Sequence, residues 1–221
     1  MPKTYFKKKG KKMDKRIKEI LEWVYCIIIA LVLALLFRYF IGTPTIVKQR
    51  SMFPTLKEGQ RLVLDRTFRI SGKIPERGDI ITFEAPSNDY KEWEVDQTNP
   101  VALYENEVNG IVSKFLYYSL EVTKRSYIKR AIAFPGEHVK IENGKVYING
   151  KELKEEYLQD DVVTISKHFN DFIVPEGYIF AMGDNRTKST DCRSLGCIPM
   201  DKIEGIVCLR FWPLNLFGKV E

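Results

Sequence analysis

The sequence predicts a mainly β protein of antiparallel strands behind a single apolar N-terminal helix. Three observations lead there. A charge-free apolar run follows a lysine-rich arm near the N-terminus. Beyond it the chain breaks into short β-rich runs separated by Gly, Asn and Pro. Two of those breaks are Asn-Gly dipeptides, Asn143-Gly144 and Asn149-Gly150, the strongest short-range hairpin signal.

The N-terminal elements come first. Nine of the 35 basic residues and two of the 29 acidic residues lie in positions 1–20, giving that arm +7 and leaving 26 basic against 27 acidic residues, a net −1, for the remainder. The run from Trp23 to Phe37 is uncharged but only 15 residues long, short for a membrane span. Extension to Ile20 and Ile41 gives 22 residues, about 33 Å of helix, with Glu22 near one end and Arg38 able to snorkel at the other. We therefore expect a cytoplasmic basic arm at 1–20, a transmembrane helix at 21–41, and a domain outside the membrane at 42–221, oriented by the positive-inside rule. A cleavable secretory signal has the same basic-then-apolar layout. Arg38-Tyr39-Phe40-Ile41 lacks the small residues such cleavage needs, which favours an uncleaved anchor in the lipid bilayer.

After the anchor, Pro44–Val47 reads as extended chain. The expected strands are Arg61–Leu64, Asp79–Phe83, Ser126–Phe134, His138–Glu142, Lys145–Ile148, Tyr178–Ala181 and Ile203–Phe211, with residues of about 140–178 forming a small β insert. Residues 84–125 are harder to read. Their aromatic run, Ile111 to Tyr118, fits either an element packed on the core or one touching the membrane surface.

Charge and cysteine usage exclude several functions. No basic surplus remains outside the arm to neutralise phosphates, so no nucleic-acid partner is expected. Four cysteines do not make a disulfide scaffold; Cys192 and Cys197, five apart, could form one local bridge, and Cys208 reads as buried. His138 and His168 have no partners at zinc-like spacing, and no metal site is expected. Arg77-Gly78-Asp79 reads as a turn entering a strand rather than an adhesion ligand.

Ser51, ten residues beyond Ile41, is the candidate nucleophile. A hydrolytic serine needs a base, and neither histidine has the setting for one. A lysine can serve if it is neutral, which requires burial to bring its pKa from about 10.4 toward roughly 8, a shift worth about 3 kcal/mol. Alternation in Ser126–Phe134 puts Lys129 on one strand face with Tyr127, Ala131 and Ala133, a small apolar setting, and turns Arg130 the other way.

Four blocks then share one pattern: Ser51-Met52-Phe53-Pro54-Thr55-Leu56; Arg77-Gly78-Asp79-Ile80-Ile81; Tyr127-Ile128-Lys129-Arg130 with Pro135-Gly136; and Gly183-Asp184-Asn185-Arg186 with Ser189, Asp191 and Arg193. In this order, behind one basic-flanked anchor, they resemble bacterial type I signal peptidases. The resemblance implies a partly closed, barrel-like catalytic domain with a small β extension. It also implies cleavage of signal-peptide-bearing preproteins after small residues in an Ala-X-Ala pattern, outside the cytoplasmic membrane.

By the same resemblance Ser51 is the nucleophile, Lys129 the general base, and Ser189 the group that orients the lysine amine. Arg130 is expected to pair with Asp184 and Arg193 with Asp191. Met52, Leu56 and Tyr127 are expected to line the pocket for the small residue, with Val47 contributing to a subsite two residues upstream. No metal or organic cofactor is needed, since nucleophile, base and oxyanion donors are protein groups. Two positions depart from the pattern: Gln49 stands where some members have a serine donor to the oxyanion, and Cys192 where many have serine. A self-cleaving repressor shares serine–lysine chemistry, but no helix-turn-helix precedes Ser51. A non-catalytic surface domain is disfavoured by the intact Ser51, Lys129 and Ser189.

Overall fold

A computed structural model describes residues 15–87, 96, 98–104, 108–118, 124–166 and 168–220. Most of the basic arm, and parts of the 84–125 segment, lie outside the described residues. The chain divides into two units, Met1–Arg38 and Tyr39–Glu221.

The first unit contains most of helix α1, Lys15–Phe40, 26 residues long and without a buried residue. At about 1.5 Å per residue it is roughly 39 Å long. Its length and apolar composition suffice to cross a membrane.

The second unit is mainly β. Strands β1 (Gly42–Ile46), β2 (Arg61–Asp65), β3 (Ile80–Glu84), β4 (Ser126–Ala133), β9 (Tyr178–Met182), β10 (Ile198–Pro199) and β11 (Ile203–Trp212) form a curled antiparallel half-barrel in the order β1-β2-β11-β3-β4-β9-β10. A smaller sheet, ordered β7-β6-β5-β8, is built from β5 (His138–Glu142), β6 (Lys145–Ile148), β7 (Lys151–Glu152) and β8 (Asp171–Ile173). Short helices α2 (Phe68–Ser71), α3 (Ile111–Tyr118) and α4 (Cys192–Leu195) complete the elements used below.

Burial explains the strands. In β2 Leu62 and Leu64 point inward, as do Val139 and Ile141 in β5 and Val146 and Ile148 in β6. All five residues of β3 are buried, because it lies between β11 and β4 with both faces covered. The two Asn-Gly turns form as expected: Asn143, Gly144, Asn149 and Gly150 all have positive φ, the backbone that a right-twisted two-residue hairpin demands. Two hydrophobic clusters result among the described residues. One joins Phe83, Ala131, Ile132 and Phe180 to Val139, Val146 and Phe172 of the smaller sheet; the other gathers Val47, Met52, Leu56, Leu62, Leu64, Ile80 and Val207.

One expectation needs correction, and one open question is answered. Cys208 is exposed, not buried. The β11–β2 register slips between Val207 and Leu209, a bulge that leaves Cys208 out of the ladder. Cys192 and Cys197 are separate free thiols rather than a bridge. Of the open readings for the aromatic run, the structure gives a helix, α3, whose Tyr117 hydroxyl donates to Glu84 Oε1 at 2.9 Å. The Arg77-Gly78-Asp79 turn enters β3 as expected, with Gly78 at φ 95° and its N–H bonded to the Ala131 carbonyl.

Candidate active site

Ser51 opens a tight turn after the extended chain beyond β1. The Phe53 N–H donates to the Arg50 carbonyl and the Leu56 N–H to the Met52 carbonyl, at 3.1 and 2.8 Å. Apolar burial holds the turn in place. Met52 and Leu56 have no exposed surface, and each contributes about 2 kcal/mol by the usual scale for a buried side chain. The Ser51 carbonyl accepts a 3.0 Å hydrogen bond from the Asn185 N–H, and the Asn185 side-chain amide reaches the Arg50 carbonyl at 3.1 Å. Among the described residues no acceptor pairs with the Ser51 N–H.

Lys129 arrives from β4. Its Nζ lies 2.8 Å from Ser51 Oγ and donates to the Ile128 carbonyl at 2.9 Å; the Tyr127 ring centroid is 5.1 Å away. Both residues are buried, Lys129 at 1% exposure and Ser51 at 5%. Burial lowers the Lys129 pKa from 10.5 to about 8, against the opposing pull of Asp191, Cys192 and Asp184. A lysine so placed is substantially neutral at mildly alkaline pH, and its lone pair can accept the serine proton.

Successive residues of a strand face opposite ways, which places Arg130 away from the amine. Its guanidinium makes a fork with Asp184, Nε to Oδ1 at 2.9 Å and Nη2 to Oδ2 at 2.7 Å, and donates to the Gly78 carbonyl at 2.8 Å. Asp184 also accepts from the Thr55 hydroxyl, tying the serine turn to the 183–186 segment. Asp191, fully buried, accepts from Arg193 Nε and Nη2, both at 2.8 Å, and from the Gly183 N–H at 2.9 Å. Burial alone would raise the Asp191 carboxyl, but these donors hold it below the usual carboxylate value.

Gly183 has no room for a side chain beside the serine turn. A Cβ there would fall 2.6 Å from Ser189 Cβ and collide with Ser189 Oγ and the Ser51 carbonyl. Ser189 thus lies beside the serine turn, its Oγ buried and close enough to Asp191 to help lower that carboxyl; the amine's hydrogen bonds go to Ser51 and Ile128. Val47, Met52 and Leu56 share one cluster, while half-buried Tyr127 packs on the other beside Phe83. Gln49 is exposed. His138 pairs with Asp171 on the smaller sheet, at 2.6 Å. Among the described residues no three His, Cys, Asp or Glu side chains converge as metal ligands.

Two residues of the site gave no signal in the sequence. Glu155 forms a fork with the buried Arg186 guanidinium, and the Tyr157 ring covers the Arg130 guanidinium at 3.9 Å. Both come from the irregular chain after β7, where neither periodicity nor a motif marks them.

Residues 20–212 match the family model described as signal peptidase, peptidase S26. The chain is 34% identical over 213 residues to signal peptidase I T of Bacillus subtilis (strain 168), covering 93% of this chain and 92% of that protein. It is 32% identical over 215 residues to signal peptidase IB of Staphylococcus aureus (strain COL), covering 90% and 93%. A crystal structure of a signal peptidase I from Enterococcus faecalis V583 aligns with 61% of this chain and 97% of its own, at 26% identity and a TM-score of 0.39. With a family match spanning most of its length and relatives above 30% identity along nine-tenths of it, the chain belongs to the signal peptidase family, peptidase S26, and is a peptidase of that family.

Proposed function

We propose that this chain is a membrane-anchored signal peptidase I that cleaves preproteins after small residues through a Ser51/Lys129 pair and an acyl-enzyme. The observation that carries this reading is the 2.8 Å separation of Lys129 Nζ and Ser51 Oγ inside a buried site. Neutral Lys129 takes the Ser51 proton as Oγ attacks the scissile carbonyl. The resulting ammonium protonates the departing amine, and Lys129, neutral again, then takes a proton from the water that hydrolyses the ester. We assign the unpartnered Ser51 N–H to the oxyanion, with the Gln49 amide as the candidate second donor. Ser189, whose buried hydroxyl lies beside the serine turn, is assigned to orient the Lys129 amine as it cycles between the two charge states.

The substrate enters as an extended strand. Among the described residues, Ser126–Lys129 pairs with β3 on one edge, and β9 joins β4 from Arg130 onward; this supports strand addition beside the lysine. Val47, Met52, Leu56 and Tyr127 are assigned to the small-residue subsites, where bulky walls leave room for alanine. Asp184 with Arg130 and Asp191 with Arg193 brace the site. In this reading helix α1 spans the bilayer, the basic arm stays in the cytoplasm, and the peptidase unit faces the opposite side.

The test is cleavage by the purified full chain of a preprotein with an Ala-X-Ala site. The expected product begins at the residue after the final alanine, and a bulky residue at that alanine blocks the reaction. Equal cleavage of the bulky variant would refute the small-residue assignment.

A further inference from the structure

We propose that Tyr157, reaching in from the small β extension with Glu155, is a positioning residue that locks the 183–186 segment behind Ser51 and keeps water from the Arg130–Asp184 pair. This inference rests on the serine–lysine reading above. The 183–186 segment matters because its Asn185 N–H holds the Ser51 carbonyl, and so sets where the Ser51 N–H and Oγ point. Two buried ion pairs hold that segment: Arg130 with Asp184, and Arg186 with Glu155.

Tyr157 touches both. Its ring stacks on the Arg130 guanidinium at 3.9 Å, and its hydroxyl donates to Glu155 Oε1 at 2.6 Å. Burial raises the phenol above its ordinary value, so the group stays protonated and keeps donating. The Arg186 Nε bonds to the Gly183 carbonyl at 3.2 Å, and Arg193 Nη2 reaches the Arg186 carbonyl at 2.7 Å, which links the clamp to Asp191 as well. A desolvated guanidinium under an aromatic face gains more than an exposed one, and a planar ring excludes water from that face.

Loosening the clamp has a predictable sign at Lys129. The charged and titratable groups around the amine are Asp184 on this segment, Asp191, Cys192 and Arg193 around α4, and Tyr127 on its own strand. Freed from Arg130, Asp184 attracts the ammonium more strongly, and water entering the site weakens the desolvation that keeps the amine neutral. Both effects favour the protonated lysine.

Preprotein cleavage by the full chain in detergent tests this. Tyr157→Leu is expected to lower kcat about tenfold or more with little change in KM, and to move the acid limb of the kcat/KM profile upward by roughly half a pH unit or more. Tyr157→Phe keeps the ring and restores most of kcat and the original limb. If Tyr157→Leu does not fold, Glu155→Gln, which weakens the hold on Arg186 without emptying the ring's place, is expected to lower kcat with the same shift. A Tyr157→Leu enzyme with wild-type kcat and acid limb overturns the proposal. So does Tyr157→Phe falling as far as Tyr157→Leu, or a folded Glu155→Gln with wild-type values where Tyr157→Leu does not fold. Ser51→Ala separates this outcome from failure of the underlying reading: cleavage surviving in that variant refutes the serine assignment, whereas an inactive Ser51→Ala beside a wild-type Tyr157→Leu refutes the clamp alone.

Discussion

Lys129 Nζ and Ser51 Oγ meet at 2.8 Å although the two residues lie 78 positions apart in the chain. Neither group is reactive by composition. Burial lowers the pKa of the amine to about 8, and the fold sets that amine within hydrogen-bond reach of the serine hydroxyl.

The pH dependence follows directly. Below about 8 the fraction of neutral Lys129 falls tenfold per pH unit, so kcat/KM should rise with that slope from acid pH and level off above it. A rate profile measured across pH 5 to 9 that stays flat would falsify a titrating lysine base.

Holding a lysine neutral costs stability. The folded pKa of about 8 lies below the unfolded value of 10.5, so the unfolded chain binds more protons between them and stability rises with pH across that window. Below it the full cost, on the order of 3 kcal/mol, is present. Lys129→Met should therefore be inactive yet more stable at pH 7, with a flatter dependence of stability on pH. Denaturant unfolding of both proteins at pH 7 and 10 checks this, and a Met variant no more stable at pH 7 contradicts it.

Breaking the Arg130–Asp184 pair should be severe. Asp184→Ala leaves a buried guanidinium without its carboxylate, at a cost of about 3–5 kcal/mol. It also frees Thr55 and the serine turn. Thermal unfolding and cleavage rates should fall together, and a loss of stability below about 1 kcal/mol would show that the pair is not braced as described.

Gly183→Ala tests how closely the loop is fitted. The added methyl must displace Ser189 or the Ser51 carbonyl, and a shift near 1 Å at the nucleophile costs about a hundredfold in rate. The expected result is a large loss of kcat; near-normal kcat would mean that the 183–186 segment yields without moving Ser51.

Thiol chemistry distinguishes the cysteines. Burial pushes Cys192 up to about 12 and Cys197 well above its ordinary value, while Cys208 is exposed beside its bulge. Alkylation of the folded chain should modify Cys208 long before Cys192 or Cys197. Mass mapping that found Cys192 or Cys197 labelled as quickly would contradict their burial.

What the sequence disclosed was what local rules control. The Asn-Gly breaks located the adjoining ends of β5 and β6 and fixed the hairpins through positive φ, and one face of each strand packs inward. Alternation on β4 likewise set Lys129 and Arg130 on opposite faces. Local rules failed where tertiary contacts decide. Ile111–Tyr118 is rich in β-branched and aromatic residues, yet it forms a helix with Tyr117 bonded to Glu84. Lys124, in the hard-to-read 84–125 segment, is placed by the fold between Glu84 and Glu204 at 3.4 and 2.8 Å. Cys208 looked buried because the bulge that expels it has no sequence mark. Tyr157 and Glu155 acquire a role only when the extension lies against Arg130 and Arg186.

The central claim, that Lys129 activates Ser51, is tested most directly by single-turnover cleavage of an Ala-X-Ala preprotein by wild type, Ser51→Ala and Lys129→Ala, with circular dichroism confirming that all three fold. The predicted result is that each substitution alone lowers the rate by roughly a thousandfold or more, and that the double variant is no slower than either. Wild-type rates surviving in folded Lys129→Ala would contradict it.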